Sequence, residues 1–496
     1  MCIVPFVVKK DRMFDRGTTE ARNQSQVIPN FVVKSPVCPR PADALGFVLC
    51  AKVTIISSVN PTPARILCWL VSLFAVSSAC ATESSPEGTW RGEWEREGSK
   101  VDITMRVEKS AHGYEGIFDS DGLRVVRIPL QKITWTAPQL NWAVASDSGV
   151  ETYAGVVQGD ALTGRLTSGA ANVSFSFTRS HEPAPAPRCE ELTFMSGEVK
   201  LAGTLFLPAG PGPHPGIVFL HGSGAEGRWA SNYLADRFAR RGFVALTFDK
   251  RGVGASGGDW KTAGFDELAA DDAAAYAALA ASPHVAHGPV GIHGHSQGGT
   301  LAPLVAVRIG HPAFVIASAG SGLSMRDTEA YSVENALGVK NLSPADAVAA
   351  RAFVAAIVAT AYEGQPYERT VQAWQAVRDK PWAFELPPAT DAYWSFARKT
   401  SAYDPLSYWR QVTAPTLLVY GQADERIPPR ASAERITAAY RSGKGASVTT
   451  VFFPEADHTF RIQSQSGKAF SWPRTAPGYP DSLIKWALEA VAPPPP

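Results

Sequence analysis

The sequence predicts an α/β domain with a mostly parallel sheet and an inserted helical cap, preceded by a small all-β domain. Three observations carry this expectation. From residue 189 onward, apolar runs of strand length alternate with helix-length segments, the pattern of parallel strands joined by crossover helices. Residues 324–410 interrupt that alternation with helical, aromatic-rich sequence. Residues 86–180 instead repeat short period-2 segments separated by Gly/Asp/Ser turns, which reads as antiparallel β structure.

At 496 residues, with 45% hydrophobic and 19% charged side chains, the chain has the composition of a folded protein of a few domains. Its formal net charge of +1 is uneven: residues 1–81 hold nine Lys/Arg against four Asp/Glu, leaving 38 against 42 beyond them. A slightly acidic body excludes nucleic acid as the main partner, because neutralising phosphates needs a basic surface.

Taken in order, the first feature is the apolar run Ile66–Ala79, preceded by Arg65 and followed by Cys80-Ala81-Thr82. Its fourteen residues are too few to span about 30 Å of hydrocarbon, but suit the apolar region of a secretory signal. Small residues at Ser77, Ala79 and Ala81 offer cleavage sites, and Cys80 stands where a degraded lipobox would place a lipidated cysteine. A buried core helix is the remaining reading. Signals begin at a chain start, so residues 1–81 are expected to comprise an extension outside the native protein plus the signal peptide. Location is then exported, periplasmic or extracellular, with membrane anchoring only if Cys80 is lipidated. Four of the six cysteines, Cys2, Cys38, Cys50 and Cys68, fall in the part expected to be lost, leaving Cys80 and Cys189 with no disulfide framework.

In residues 86–180, Val101–Val107, Val125–Leu130 and Asn172–Phe177 alternate apolar and polar residues. Trp90, Trp94, Trp135 and Trp142 are expected as core packing, with a carbohydrate- or lipid-binding face as the alternative. A Pro/Ala linker follows at 181–188, stiff and extended. The α/β domain, residues 189–492, begins its strand–helix alternation with Gly216–Leu220, a helix near 231–241 and Phe243–Phe248. A helix near 265–281, Val290–His293 and a helix after Ser296 continue it. After the cap, Thr416–Tyr420 and Val448–Phe453 resume the strands.

The strongest chemical signal is Gly294-His295-Ser296-Gln297-Gly298, following one of these strands and opening a helix. A serine hydroxyl is a poor nucleophile and needs an exposed, sharply turned position, a base and an oxyanion site; glycines on either side permit the turn. His221-Gly222-Ser223-Gly224 follows another strand and can aim a backbone N–H at an oxyanion, partnered by the N–H of Gln297. A plain Gly-rich turn is the competing reading, and His221 itself reads as structural. Asp424 and His458 each lie just past a buried strand, where open α/β sheets build their sites. Gly252 to Gly257 matches GxGxxG, yet no helix opens there, so a dinucleotide site is not expected. The cap aromatics Trp374, Trp382, Phe384, Tyr393, Trp394, Tyr403 and Trp409 are read mainly as packing, with pocket lining as the alternative.

With HGSG at 221, DKRGVGASGG at 249, GHSQGG at 294, GQADERIP at 421 and ADHTF at 456, the chain closely resembles the α/β-hydrolase superfamily over about 190–490. Within it, the chain is similar to bacterial esterases of the dienelactone-hydrolase and serine-aminopeptidase-like branches. The resemblance implies the α/β-hydrolase fold, with Ser296 as nucleophile, His458 as base and Asp424 as its orienting acid. It further implies oxyanion N–H groups from Ser223 and Gln297, and neither metal nor cofactor. The function so implied is serine carboxylesterase on a small-molecule ester, through an acyl-enzyme. The alternatives are a peptidase or amidase on the same fold and, more distantly, a non-catalytic glycan- or lipid-binding protein.

Overall fold

The computed structural model describes residues 85–492 apart from 97–98, 147–148, 169–170, 182–186, 286–287 and 464–473. The expected signal, Cys80 and most of the linker lie outside the described residues.

Nine antiparallel strands come first: β1 (Gly88–Arg96), β2 (Ser99–Ser110), β3 (Gly113–Ser120), β4 (Val125–Pro129) and β5 (Gln131–Thr136), then β6 (Gln139–Ser146), β7 (Gly149–Gln158), β8 (Ala161–Ser168) and β9 (Ala171–Ser180). They form one sheet in the order β4-β3-β2-β1-β9-β8-β7-β6-β5, curling so that β5 returns against β3. The period-2 pattern sets which face is inside: on β2, Val101, Ile103, Met105 and Val107 are all buried. Trp90, Trp94 and Trp142 are buried with them, Trp142 stacked on Tyr153 at 4.9 Å between centroids, whereas Trp135 is only half-buried. These aromatics pack together in the interior of the sheet.

The second sheet starts with a hairpin that the sequence pattern had not revealed, β10 (Arg188–Ser196) and β11 (Val199–Leu207). It continues with β12 (Gly216–Leu220), α1 (Trp229–Ala239), β13 (Val244–Phe248), α2 (Phe265–Ala280), β14 (Val290–His295), α3 (Gln297–Ile309) and β15 (Val315–Ser318). The cap contributes α4 (Met325–Ala336), α5 (Pro344–Glu363), α6 (Tyr367–Gln375), α7 (Ala392–Thr400) and α8 (Pro405–Trp409). Then come β16 (Thr416–Gly421), α9 (Pro429–Arg441), β17 (Val448–Phe453) and α10 (Tyr479–Val491). The strand order is β10-β11-β13-β12-β14-β15-β16-β17, and β11 alone runs against its neighbours. This is the α/β-hydrolase fold, with an all-β domain ahead of it.

Strands β12 to β16 are buried along their length because helices cover both faces, which is why they read as unbroken apolar runs. Helices α1 and α10 pack one face, and α2, α3, α9 and the cap pack the other. Helix α5 is long and apolar enough to cross a membrane, but Phe353, Val354, Ile357 and Val358 bury it against the rest of the cap. The cap aromatics largely pack: Trp382, Phe384, Tyr393 and Trp409 are buried, and Tyr403 donates to the Thr300 carbonyl at 2.8 Å. The chain leaves β12 for β13 on one side and returns to β14 on the other. That reversal opens a crevice at the strand carboxyl ends, where such sheets place their sites.

Candidate active site

Ser296 stands between β14 and α3 with φ 57° and ψ −113°, a conformation that costs a non-glycine residue of order 1–3 kcal/mol. The glycines around it are dictated by contact distance. A Cβ on Gly294 would lie 2.2 Å from the Gly298 carbonyl oxygen, and one on Gly298 would lie 2.8 Å from the carbonyl oxygens of Leu220 and His221. Only glycine lets the helix start fold this tightly onto both strands.

The other two expected residues meet this serine. His458 Nε2 is 2.8 Å from Ser296 Oγ, and His458 Nδ1 is 2.8 Å from Asp424 Oδ2. All three are nearly enclosed, with exposures of 4% for Ser296, 7% for His458 and 2% for Asp424. Asp424 Oδ1 accepts from the N–H groups of Arg426 and Ile427 at 2.7 and 2.9 Å, so the carboxylate is held from two sides. From the cap, the Tyr331 hydroxyl donates to the Asp424 carbonyl at 2.8 Å. Asp457 does not reach the ring. Its Oδ1 accepts from the N–H groups of Thr459 and Arg461, at 2.8 and 2.9 Å, and shapes the turn that presents His458.

The N–H groups of Ser223 and Gln297 make no hydrogen bond among the described residues, so both remain available to an oxyanion. Between their segments sits Lys250, which sequence reasoning missed. Its ammonium, 3% exposed, donates to the carbonyls of Gly222 at 2.5 Å and Gly224 at 3.1 Å, and to Gln297 Oε1 at 3.2 Å. Glu226 accepts from the Gly222 N–H on the other side of the same turn, and burial pushes its carboxyl up. Lys250 thus pins the HGSG turn to the start of α3. Its partners lie 26 to 47 residues away in sequence, so no local signal marked it.

Three histidines surround this centre as uncharged packing groups. His221 lies 2.6 Å from the Phe248 carbonyl, and burial, with help from Lys250, pushes it down to about 3. His293 lies 3.0 Å from Ser318 Oγ and is likewise pushed to about 3 by burial and then His295. His295, also missed, lies 2.8 Å from the carbonyl of His458 and is pushed to about 4 by burial and then His458. The GxGxxG stretch closes on itself through Gly252 N–H to Gly257 O at 2.8 Å, and α2 starts only at Phe265, so no helix N-terminus meets it.

A hydroxyl on a strained turn, an imidazole against it, a carboxylate behind the imidazole and two free N–H groups define a hydrolase of the α/β-hydrolase superfamily. The chain belongs to the serine aminopeptidase family S33, whose model matches residues 211–463. Solved structures similar to it include an esterase of Pyrococcus furiosus, at 17% identity and TM-score 0.40 over 62% of this chain and 91% of that one. A proline iminopeptidase of Mycobacterium smegmatis matches at 16% identity and TM-score 0.40 over 61% and 99%. A Butyrivibrio proteoclasticus protein solved with ferulic acid matches at 16% and 0.39 over 61% and 100%. No curated protein matches the chain.

Proposed function

We propose that this hydrolase is a serine esterase that cleaves carboxylic esters through an acyl-enzyme. The relay from Asp424 through His458 to Ser296, at 2.8 Å per step, is the observation that carries the reading. Ser296 attacks the ester carbonyl as His458 takes its proton, and the N–H groups of Ser223 and Gln297 receive the oxyanion. His458 then protonates the departing alcohol. Water enters by the same route, passes its proton to His458, and releases the acid and the free serine. The Asp424 carboxylate holds the tautomer with Nε2 free and stabilises the imidazolium.

The family description favours a second reading, a peptidase or amidase. Ester cleavage is preferred because it asks less of the site: an alkoxide leaves more readily than an amide nitrogen, which must be protonated as it departs. Graded p-nitrophenyl esters assayed beside aminoacyl-p-nitroanilides separate the two, the esters being the expected substrates. A fluorophosphonate should label the wild type and not Ser296→Ala. An unlabelled wild type would return the chain to the binding-protein reading.

Export is proposed on the Ile66–Ala79 run and the small residues that follow it. Protein from its native host should begin near Cys80–Thr82 on terminal sequencing; a mature chain starting at Met1 would exclude export by this signal.

A further inference from the structure

The turn between β3 and β4 reaches out of the β domain and touches the loop that carries His458. Arg124 Nη1 donates to the Thr459 carbonyl at 2.5 Å. In return, Arg461 Nη2 donates to the Leu123 carbonyl at 3.1 Å. Val126 is buried in the same cluster as Tyr233 and Leu234 of α1, and Asp121 pairs with Arg237 of that helix.

This turn is fixed before it makes these contacts. The Asp102 carboxylate accepts from the N–H groups of Asp121 and Gly122 at 2.9 and 2.8 Å. Ser120 Oγ accepts from the Leu123 N–H at 3.1 Å. Arg124 itself sits at φ 58°, and its guanidinium lies 5.3 Å from the Tyr479 ring centroid. The side chain is therefore presented by a rigid tip.

We propose that Arg124 is a positioning residue for catalysis, through which the β domain holds the His458 loop in register with Ser296. The inference rests on the serine-hydrolase reading above. Two consecutive carbonyls of the loop are gripped from opposite domains, that of His458 by His295 and that of Thr459 by Arg124. Behind the loop is a cavity of about 270 Å³, lined by Arg124, Trp229, His295 and Arg461 among others but by neither Ser296 nor His458. Phe460 anchors the far side of the loop by stacking on Tyr479 at 4.1 Å between centroids, while on the cavity side the hydrogen bonds of His295, Arg124 and Arg461 set where the loop rests. A shift of about 1 Å in a catalytic group costs on the order of 10²-fold in rate, so even a partial relaxation is measurable. The hairpin lies outside the 211–463 span of the family model, so the device belongs to this chain's own domain arrangement.

The test compares three variants of the full chain. Arg124→Ala should lower kcat about tenfold with KM within twofold of wild type, and should raise hydrogen exchange in the 457–461 segment. Arg124→Lys, which restores one donor, should recover much of the kcat. Arg237→Ala, which cuts the neighbouring ion pair with Asp121, should leave kcat within about twofold. Unchanged kcat or unchanged loop exchange in Arg124→Ala overturns the proposal, as does an equal kcat loss in Arg237→Ala, which would make the hairpin mere adhesive. Because loop exchange needs no substrate, it still reads the clamp if the esters prove to be the wrong substrates.

Discussion

Asp424 and Asp457 both stand near His458, but only Asp424 reaches its ring, with Oδ2 2.8 Å from Nδ1. Adjacent side chains in extended backbone point to opposite sides, and Asp457 turns its carboxylate onto the N–H groups of its own turn. Asp424→Asn should therefore cut kcat by on the order of 10²–10⁴-fold, with thermal stability little changed. Asp457→Asn should cost about tenfold at most, through loop geometry. Kinetics of the two variants on one ester decide the assignment, and reversed losses would move the acid to Asp457.

Lys250 ties the HGSG turn to Gln297. Losing that tie leaves both oxyanion donors present but unaligned. Removing one such donor outright costs about 10²–10³-fold elsewhere, so Lys250→Met should lower kcat by roughly 10–10²-fold while KM moves little. A loss seen only in KM would show that Lys250 serves substrate binding instead.

The glycines of the elbow should be immutable for steric reasons. Gly294→Ala forces a Cβ to within 2.2 Å of the Gly298 carbonyl oxygen. Overpacking of this kind typically costs about 1–3 kcal/mol, and backbone rather than a flexible side chain must move here. The expected result in thermal melts is a clear drop in Tm or no folded protein. A variant that melts like wild type would mean that the elbow is looser than these distances allow.

His293 gives the acid limb of stability a definite sign. It is 2% exposed and, in the folded chain, stays unprotonated down to about pH 3, against 6.5 when free. As pH falls through that window the unfolded chain takes up a proton that the folded one refuses. Its own contribution to stability should be intact above about pH 6.5 and fall by about 1.4 kcal/mol per pH unit until near 3, with His221 and His295 adding slopes of the same sign. His293→Gln should remove about one proton's worth of that slope in urea unfolding series at pH 7, 6 and 5. An unchanged slope would place the acid sensitivity in other groups.

The catalytic constellation was legible because its residues sit at strand ends, where local pattern and motif coincide. Ser296 and Asp424 each follow a buried apolar strand, whereas His458 follows the mostly half-buried β17 and was marked by its family motif and by chain order. The hairpin β10–β11 escaped notice because β10 is half-exposed and its alternation is carried by little more than Leu192 and Phe194. His295 occupies an x of G-x-S-x-G, where any side chain fits the pattern, and Lys250 reaches partners 26 to 47 residues away, so their roles emerge only once folding supplies a carbonyl to hold. The contact between Arg124 and Thr459 joins residues 335 apart, and no periodicity spans such a distance. Sequence reading found the three side chains that the structure brings together and missed Lys250, His295 and Arg124, which contact the segments carrying them.

The cap occupies the connection from β15 to β16, which pair as parallel neighbours. Parallel neighbours always need a crossover, so this excursion adds no new break to the sheet; it meets the scaffold through Tyr331 at the acid-bearing loop and Tyr403 at α3. Away from those two tyrosines, its length and composition can drift while the scaffold stays still. Such a fold separates what must be conserved from what is free to diversify, and an engineer seeking new substrates would exchange the segment between Ser318 and Thr416 before touching any strand.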